Sequence, residues 1–315
     1  MVVAVVIGFV AAPTAGHTAR LTLPKRVYAV GMRTETFVDK SRETPAYPSI
    51  GVAAAPARTI ETTIWYPAGG AARNAVTPNA KPSRKGAPFP LILFSHGNGS
   101  DAGYYAGLLR QWAAAGFVVA GPTFPVTTHD IRSNDGVADV KNQPGDVSYV
   151  LDQLLRMNRR HTWLRGLLDP RRIGAAGHSL GGATTYGVVY TECCRDKRIT
   201  AAIVLAGVPL LGDAAVDRFT TPLLLVHGDH DGSAPYAITP GIFQKARGLH
   251  WFLTVLGGTH TSYFPGVSGE NARQADVVVR VTTDFWRAEL RGQDAARQAI
   301  ATDGNVANVA KLESQ

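Results

Sequence analysis

The chain has 315 residues, 45% of them hydrophobic and 18% charged, which excludes a disordered or fibrous protein and leaves room for one large α/β unit with a substantial core. Its formal charge of +8 comes from Lys and Arg scattered singly or in pairs such as Arg159/Arg160 and Arg171/Arg172, with no basic stripe. A solvated basic surface accounts for that pattern, and no nucleic-acid partner is expected.

Taken in chain order, residues 2–12 form an apolar run too short to span a bilayer but long enough for the core of an export leader. Small residues at Ala12, Thr14, Ala15 and Ala19 offer cleavage positions, so residues 1–19 are expected to be a leader and the protein secreted or placed in the cell envelope. Only Met1 precedes the run, so the start can lie inside a longer leader; a buried first strand in a cytoplasmic protein is the alternative. Runs 27–38 and 58–66 are rich in β-branched and aromatic residues with no helix between them, and predict an antiparallel beginning to a sheet. After the Pro- and Gly-rich loop 67–90 comes a buried strand at 90–95, ending at His96-Gly97-Asn98-Gly99-Ser100. Tyr105, Leu108, Leu109 and Trp112 follow at helical spacing, and 116–121 is the next strand.

The loop 123–142, with His129, Asp130 and Arg132, follows that strand and is expected to border a pocket. Val147, Val150, Leu151, Leu154 and Leu155 lie at i, i+3, i+4, i+7 and i+8, one buried helix face rather than a cofactor box. Strands are predicted at 172–176, 200–207, 222–226 and 251–256, then a closing helix through Val278, Val281, Phe285 and Trp286. Alternating strands and helices from 26 to 290 predict a mostly parallel sheet of about eight strands with helices on both faces, as one domain over 20–300. Residues 301–315 show no periodicity and are expected to form a flexible tail. Adjacent Cys193 and Cys194 cannot staple distant segments and read as two small apolar residues near the sheet.

Gly177-His178-Ser179-Leu180-Gly181, directly after a strand and before a helix-compatible stretch, has the form of a nucleophile elbow. A serine on so tight a bend needs glycines at minus two and plus two, because side chains there would strike neighbouring backbone. Its hydroxyl also needs a base and an acid that orients the base. His260 follows the last strand on a loop hinged by Gly257/Gly258, while Asp231 stands in Gly228-Asp229-His230-Asp231 at the end of a strand. The Gly-x-x-Asp spacing favours Asp231, with Asp229 as its rival. Backbone N–H groups of Leu180, after the serine, and of Asn98, between Gly97 and Gly99, are candidate oxyanion donors. Neither a calcium loop nor a paired His or Cys ligand motif accompanies them, so no metal or cofactor is expected.

Together these residues resemble the α/β-hydrolase superfamily over about 58–290, within it the secreted esterases similar to platelet-activating-factor acetylhydrolases and the dienelactone-hydrolase-like group. Thr63-Ile64-Trp65-Tyr66-Pro67, Phe94-Ser95-His96-Gly97, the stretch 145–154 beginning Gly145-Asp146-Val147, and the elbow look like that group's landmarks. The resemblance implies the α/β-hydrolase fold, Ser179 as nucleophile, His260 as base, Asp231 as acid, and Asn98 and Leu180 as oxyanion donors; the protein is expected to be a monomer acting on a small-molecule or lipid ester. A serine nucleophile departs from the cysteine of true dienelactone hydrolases. Cutinase-like polyester hydrolases usually carry Trp or Tyr where His178 stands. The expected activity is carboxylic ester hydrolysis through an acyl-enzyme; a lipase or polyester hydrolase, or a hydrolase-fold binding protein without turnover, are the alternatives.

Overall fold

The computed structural model describes residues 27–131, 134–212 and 214–315. The apolar run 2–12 and Arg132 lie outside them.

Among the described residues ten strands form one sheet. In chain order they are β1 (Ala29–Asp39), β2 (Arg58–Ala68), β3 (Val76–Pro78), β4 (Phe89–Ser95), β5 (Val118–Thr123), β6 (Leu168–His178), β7 (Ile199–Leu205), β8 (Leu223–Gly228), β9 (His250–Val255) and β10 (Ala310–Ser314). Across the sheet the order is β10-β9-β8-β7-β6-β4-β5-β2-β1-β3. From β9 to β5 all neighbours are parallel, whereas β1 and β2, and β2 and β5, are antiparallel.

Central strands here are apolar throughout because both faces are covered. In β4, Ile92 and Phe94 join one core cluster while Leu91 and Leu93 join the other. The same alternation holds in β8, with Leu224 and Val226 on one side and Leu223 and Leu225 on the other. Helices α1 (Ala106–Ala114), α5 (Ala272–Arg291) and α6 (Asp294–Gly304) supply Leu108, Trp112, Val278, Phe285 and Ile300 to the first cluster. Helices α2 (Gln143–Arg159), α3 (Leu180–Tyr190) and α4 (Ile238–Lys245) supply Val147, Leu151, Val189 and Phe243 to the second. This is the mixed sheet with helices on both sides expected from the sequence.

Three expectations are corrected. The sheet has ten strands rather than about eight, the short edge strands β3 and β10 being the ones periodicity left out. The end of the chain is not a loose tail: β10 pairs antiparallel with β9, Ala310 opposite Val255 and Ser314 opposite Trp251, and Val309 and Ala310 are buried. The partner edge makes that strand, which its own five residues could not announce. Finally, Cys193 and Cys194 are joined by a disulfide at the end of α3.

Candidate active site

Parallel sheets open their sites at the carboxyl ends of the strands, and the candidate residues converge there. Ser179 links β6 to α3 with φ 56° and ψ −120°, a strained conformation for a residue with a side chain. Its N–H is fixed by the Leu205 carbonyl at 2.9 Å, at the end of β7. A Cβ on Gly177 would collide with the Gly181 carbonyl, and one on Gly181 with the Ser95 carbonyl of β4. Both glycines are therefore required by contact, and α3 enters directly behind the serine with Leu180 as its first residue. Being first, the Leu180 N–H has no acceptor within its own helix.

The loop after β4 comes up against this bend: a Cβ on Gly97 would sit 3.3 Å from Ser179 Cβ. His96 accepts the Phe124 N–H at Nε2 (3.0 Å), so its Nδ1 carries the proton and donates to the Gly97 carbonyl (2.7 Å). Burial lowers the His96 pKa to about 4, keeping it neutral. With the Gly97 carbonyl held toward His96, the planar trans peptide directs the Asn98 N–H the opposite way.

Asp231 lies past the end of β8 and accepts four hydrogen bonds. Oδ1 takes the N–H groups of Ser233 (2.7 Å) and Ala234 (2.9 Å); Oδ2 takes His260 Nδ1 (2.7 Å) and His227 Nε2 (3.2 Å). Burial raises this carboxyl, but the donors from His227, His260, Ala234 and Ser233 outweigh it and hold the pKa well below the usual carboxylate range. Asp229 points elsewhere: its Oδ1 accepts the Gly257 N–H at 2.6 Å, anchoring the hinge of the His260 loop. Gly228 and Gly258 pack backbone to backbone, which brings the two loops together.

The far side of the His260 loop is tied to α5. Thr259 N–H donates to Ser262 Oγ (3.0 Å), Ser262 to Gln274 Oε1 (2.7 Å), and Gln274 Nε2 to the Leu256 carbonyl (2.9 Å). Ser179, His260 and Asn98 line one cleft of about 670 Å³, with Ser100, Tyr104 and Thr261 along its wall and His129 at its rim. His129 belongs to the loop expected to border the pocket, and it pairs with Asp101 at 2.9 Å. Ser179 and His260 face the same cleft. No group of His, Cys, Asp and Glu suited to a metal occurs among the described residues, and none of their helices is long and apolar enough to cross a membrane.

Two participants escaped the sequence reading. His227 braces Asp231 while accepting from Thr239 Oγ1 (2.7 Å), and Tyr105 hydrogen-bonds both Gly97 and His178. The signal for the first was there to be used: buried strands end in His-Gly twice, at His96-Gly97 and His227-Gly228, and both histidines turn inward.

Comparison with known proteins gives two findings and one blank. A ferulic acid esterase from Streptomyces cinnamoneus superposes with a TM-score of 0.68 at 24% identity, covering 87% of this chain and 93% of that one, a likeness of fold. No curated protein matches. The family model described as Chlorophyllase matches residues 73–230, from just before β3 through the loop after β4, the elbow and β8. That span is half of the chain and carries its central parallel strands, and so the protein, an α/β-hydrolase and a carboxylic ester hydrolase, belongs to the chlorophyllase family.

Proposed function

We propose that the protein is a serine esterase working through an acyl-enzyme. The observation that carries this reading is the 2.7 Å bond from His260 Nδ1 to Asp231 in the cleft that Ser179 shares. With Nδ1–H committed to the carboxylate, His260 Nε2 is the basic nitrogen. Ser179 Oγ attacks the ester carbonyl while Nε2 takes its proton. Negative charge forms on the carbonyl oxygen and is met by the backbone N–H groups of Asn98 and Leu180. Collapse expels the alcohol with the proton from His260; a water molecule, activated the same way, releases the acid and restores Ser179. Asp231 stays ionised throughout, because its four donors favour the charged form.

Tyr104 presents a half-exposed ring at the cleft wall, beside the polar Asn98, Ser100 and Thr261. That mixture supports esters with a flat, oxygen-bearing group, the kind the ferulic acid esterase's name denotes. An apolar run at 2–12 within the expected leader 1–19, and a disulfide at Cys193–Cys194, both support an exported enzyme, since oxidising compartments preserve such bonds.

The test is turnover of p-nitrophenyl esters from acetate to palmitate, and of methyl ferulate, by wild type and Ser179→Ala. We expect Ser179→Ala to fold and to lose about 10⁴-fold or more in kcat. A folded Ser179→Ala with retained turnover would overturn the acyl-enzyme. An optimum on the longest chains would favour a lipase, and no turnover by wild type a binding role.

A further inference from the structure

Tyr105, which ends a short turn capped by Asp101, and His178, the residue before Ser179, are each only 2% exposed, and no proton-transfer step above uses either. His178 Nε2 lies 2.9 Å from the backbone oxygen of His260. A carbonyl oxygen only accepts, so Nε2 carries the proton. Burial, with His260 nearby, lowers the His178 pKa well below its ordinary value, so the ring is neutral and Nδ1 is an acceptor. Tyr105 Oη, 2.8 Å from Nδ1, therefore donates to it, and itself accepts the Gly97 N–H at 3.1 Å, with Ser100 Oγ at a longer 3.5 Å. The polarity runs one way: Gly97 N–H to Tyr105, Tyr105 O–H to His178, His178 N–H to the carbonyl of His260.

Aromatic rings pack along this chain. The His178 ring sits 4.4 Å from that of His260 and 4.8 Å from Phe264, and Tyr105 lies 5.1 Å from Phe264 and 4.8 Å from Phe94. One end of the chain holds the loop that carries Asn98; the other holds the backbone of His260.

We propose that Tyr105 and His178 are positioning residues forming a neutral strut between the 97–99 loop and the His260 loop, which keeps the oxyanion donors and the base in register around Ser179. The inference rests on the esterase reading above. The strut's effect belongs in the transition state, since small displacements of donor and base act on the chemical step.

The experiment measures kcat and KM on p-nitrophenyl acetate, with thermal melts, for Tyr105→Phe, His178→Phe, the double variant and His178→Gln, beside Ser179→Ala. We expect each Phe variant to lose about 10–100-fold in kcat, with KM changed by less than about threefold. The double variant should fall no more than about threefold below the worse single one, because one broken link severs the strut. His178→Gln retains an N–H for the His260 carbonyl and an acceptor for Tyr105, and should exceed His178→Phe by about fivefold or more. A folded Tyr105→Phe with kcat within about twofold of wild type, or losses that add in the double variant, would overturn the strut. If His178→Phe does not fold, Tyr105→Phe and its combination with His178→Gln decide by the same criteria. Turnover surviving in Ser179→Ala would instead overturn the esterase reading, so the two failures are distinguishable.

Discussion

At the residue scale, the two aspartates after β8 divide their work by direction. Asp231 meets His260 Nδ1 and Asp229 meets the Gly257 N–H, although they stand two positions apart. Replacing Asp231 by Asn keeps the shape but offers the ring an amide, and the imidazole can then settle with the wrong nitrogen protonated. We expect Asp231→Asn to lower kcat by about 10⁴-fold, a drop of the size seen when a triad carboxylate is converted to its amide. Asp229→Asn still presents an acceptor oxygen to Gly257, so kcat should stay within about threefold of wild type. Turnover of p-nitrophenyl acetate by the two variants checks both, and a larger loss at 229 than at 231 would reverse the assignment. In the sequence the two aspartates are told apart only by the Gly-x-x-Asp spacing, and the one sign of His227 is the His-Gly pair at the end of a buried strand, which marks an inward histidine but not its partner Asp231.

At the scale of elements, legibility followed how much of an element's stability is local. β4 and β8 were readable because both of their faces are covered and they are apolar residue after residue. α2 was readable because its apolar positions fall on one face. β10 was not, since Ala-Lys-Leu-Glu-Ser becomes a strand only against the edge of β9, where Leu312 stands opposite Leu253. Arg58 was hidden for a related reason. It sits at the head of β2 with no exposed surface, its guanidinium shared by Asp139 (2.8 Å) and Asp146 (2.6 Å), which are far away in the chain. The contribution of β10 is measurable. A chain ending at Gly304 loses the burial of Val309 and Ala310 and leaves the β9 edge open. Stability should fall by about 2–4 kcal/mol, lowering Tm by about 3–7 °C, and light scattering should show association through the exposed edge. An unchanged melt would mean that β10 adds nothing to the sheet.

At the scale of the whole molecule, the way the site is buried sets the response to acid. His96 and His178 are enclosed as neutral rings; burial lowers His96 from 6.5 to about 4 and His178 well below 6.5. In the unfolded chain both titrate near 6.5, so between about pH 6.5 and 4 the unfolded state binds more protons than the native one. Their contribution is present above pH 6.5 and is lost as pH falls, about 3 kcal/mol for His96 alone by pH 4. Asp284, on α5, works in the opposite sense. Burial raises it to about 6 against the pull of Arg287, so ionising it costs stability at neutral pH and acidification relieves that cost. Burial raises Asp146, Asp276 and Glu289 in the same sense as Asp284 but by less, and against the two enclosed histidines the balance is a net loss. Urea unfolding at pH 8, 7, 6 and 5 should therefore show stability declining below pH 7. The decline should be shallower in His96→Gln, which has no ring to protonate, and steeper in Asp284→Asn, which has lost the opposing group. Because each comparison is of slopes, it survives any constant offset that a substitution imposes. If wild type and His96→Gln lost stability in parallel from pH 7 to 5, the acid response would have to come from elsewhere, and the neutral state assigned to the histidine beneath the 97–99 loop would fall with it.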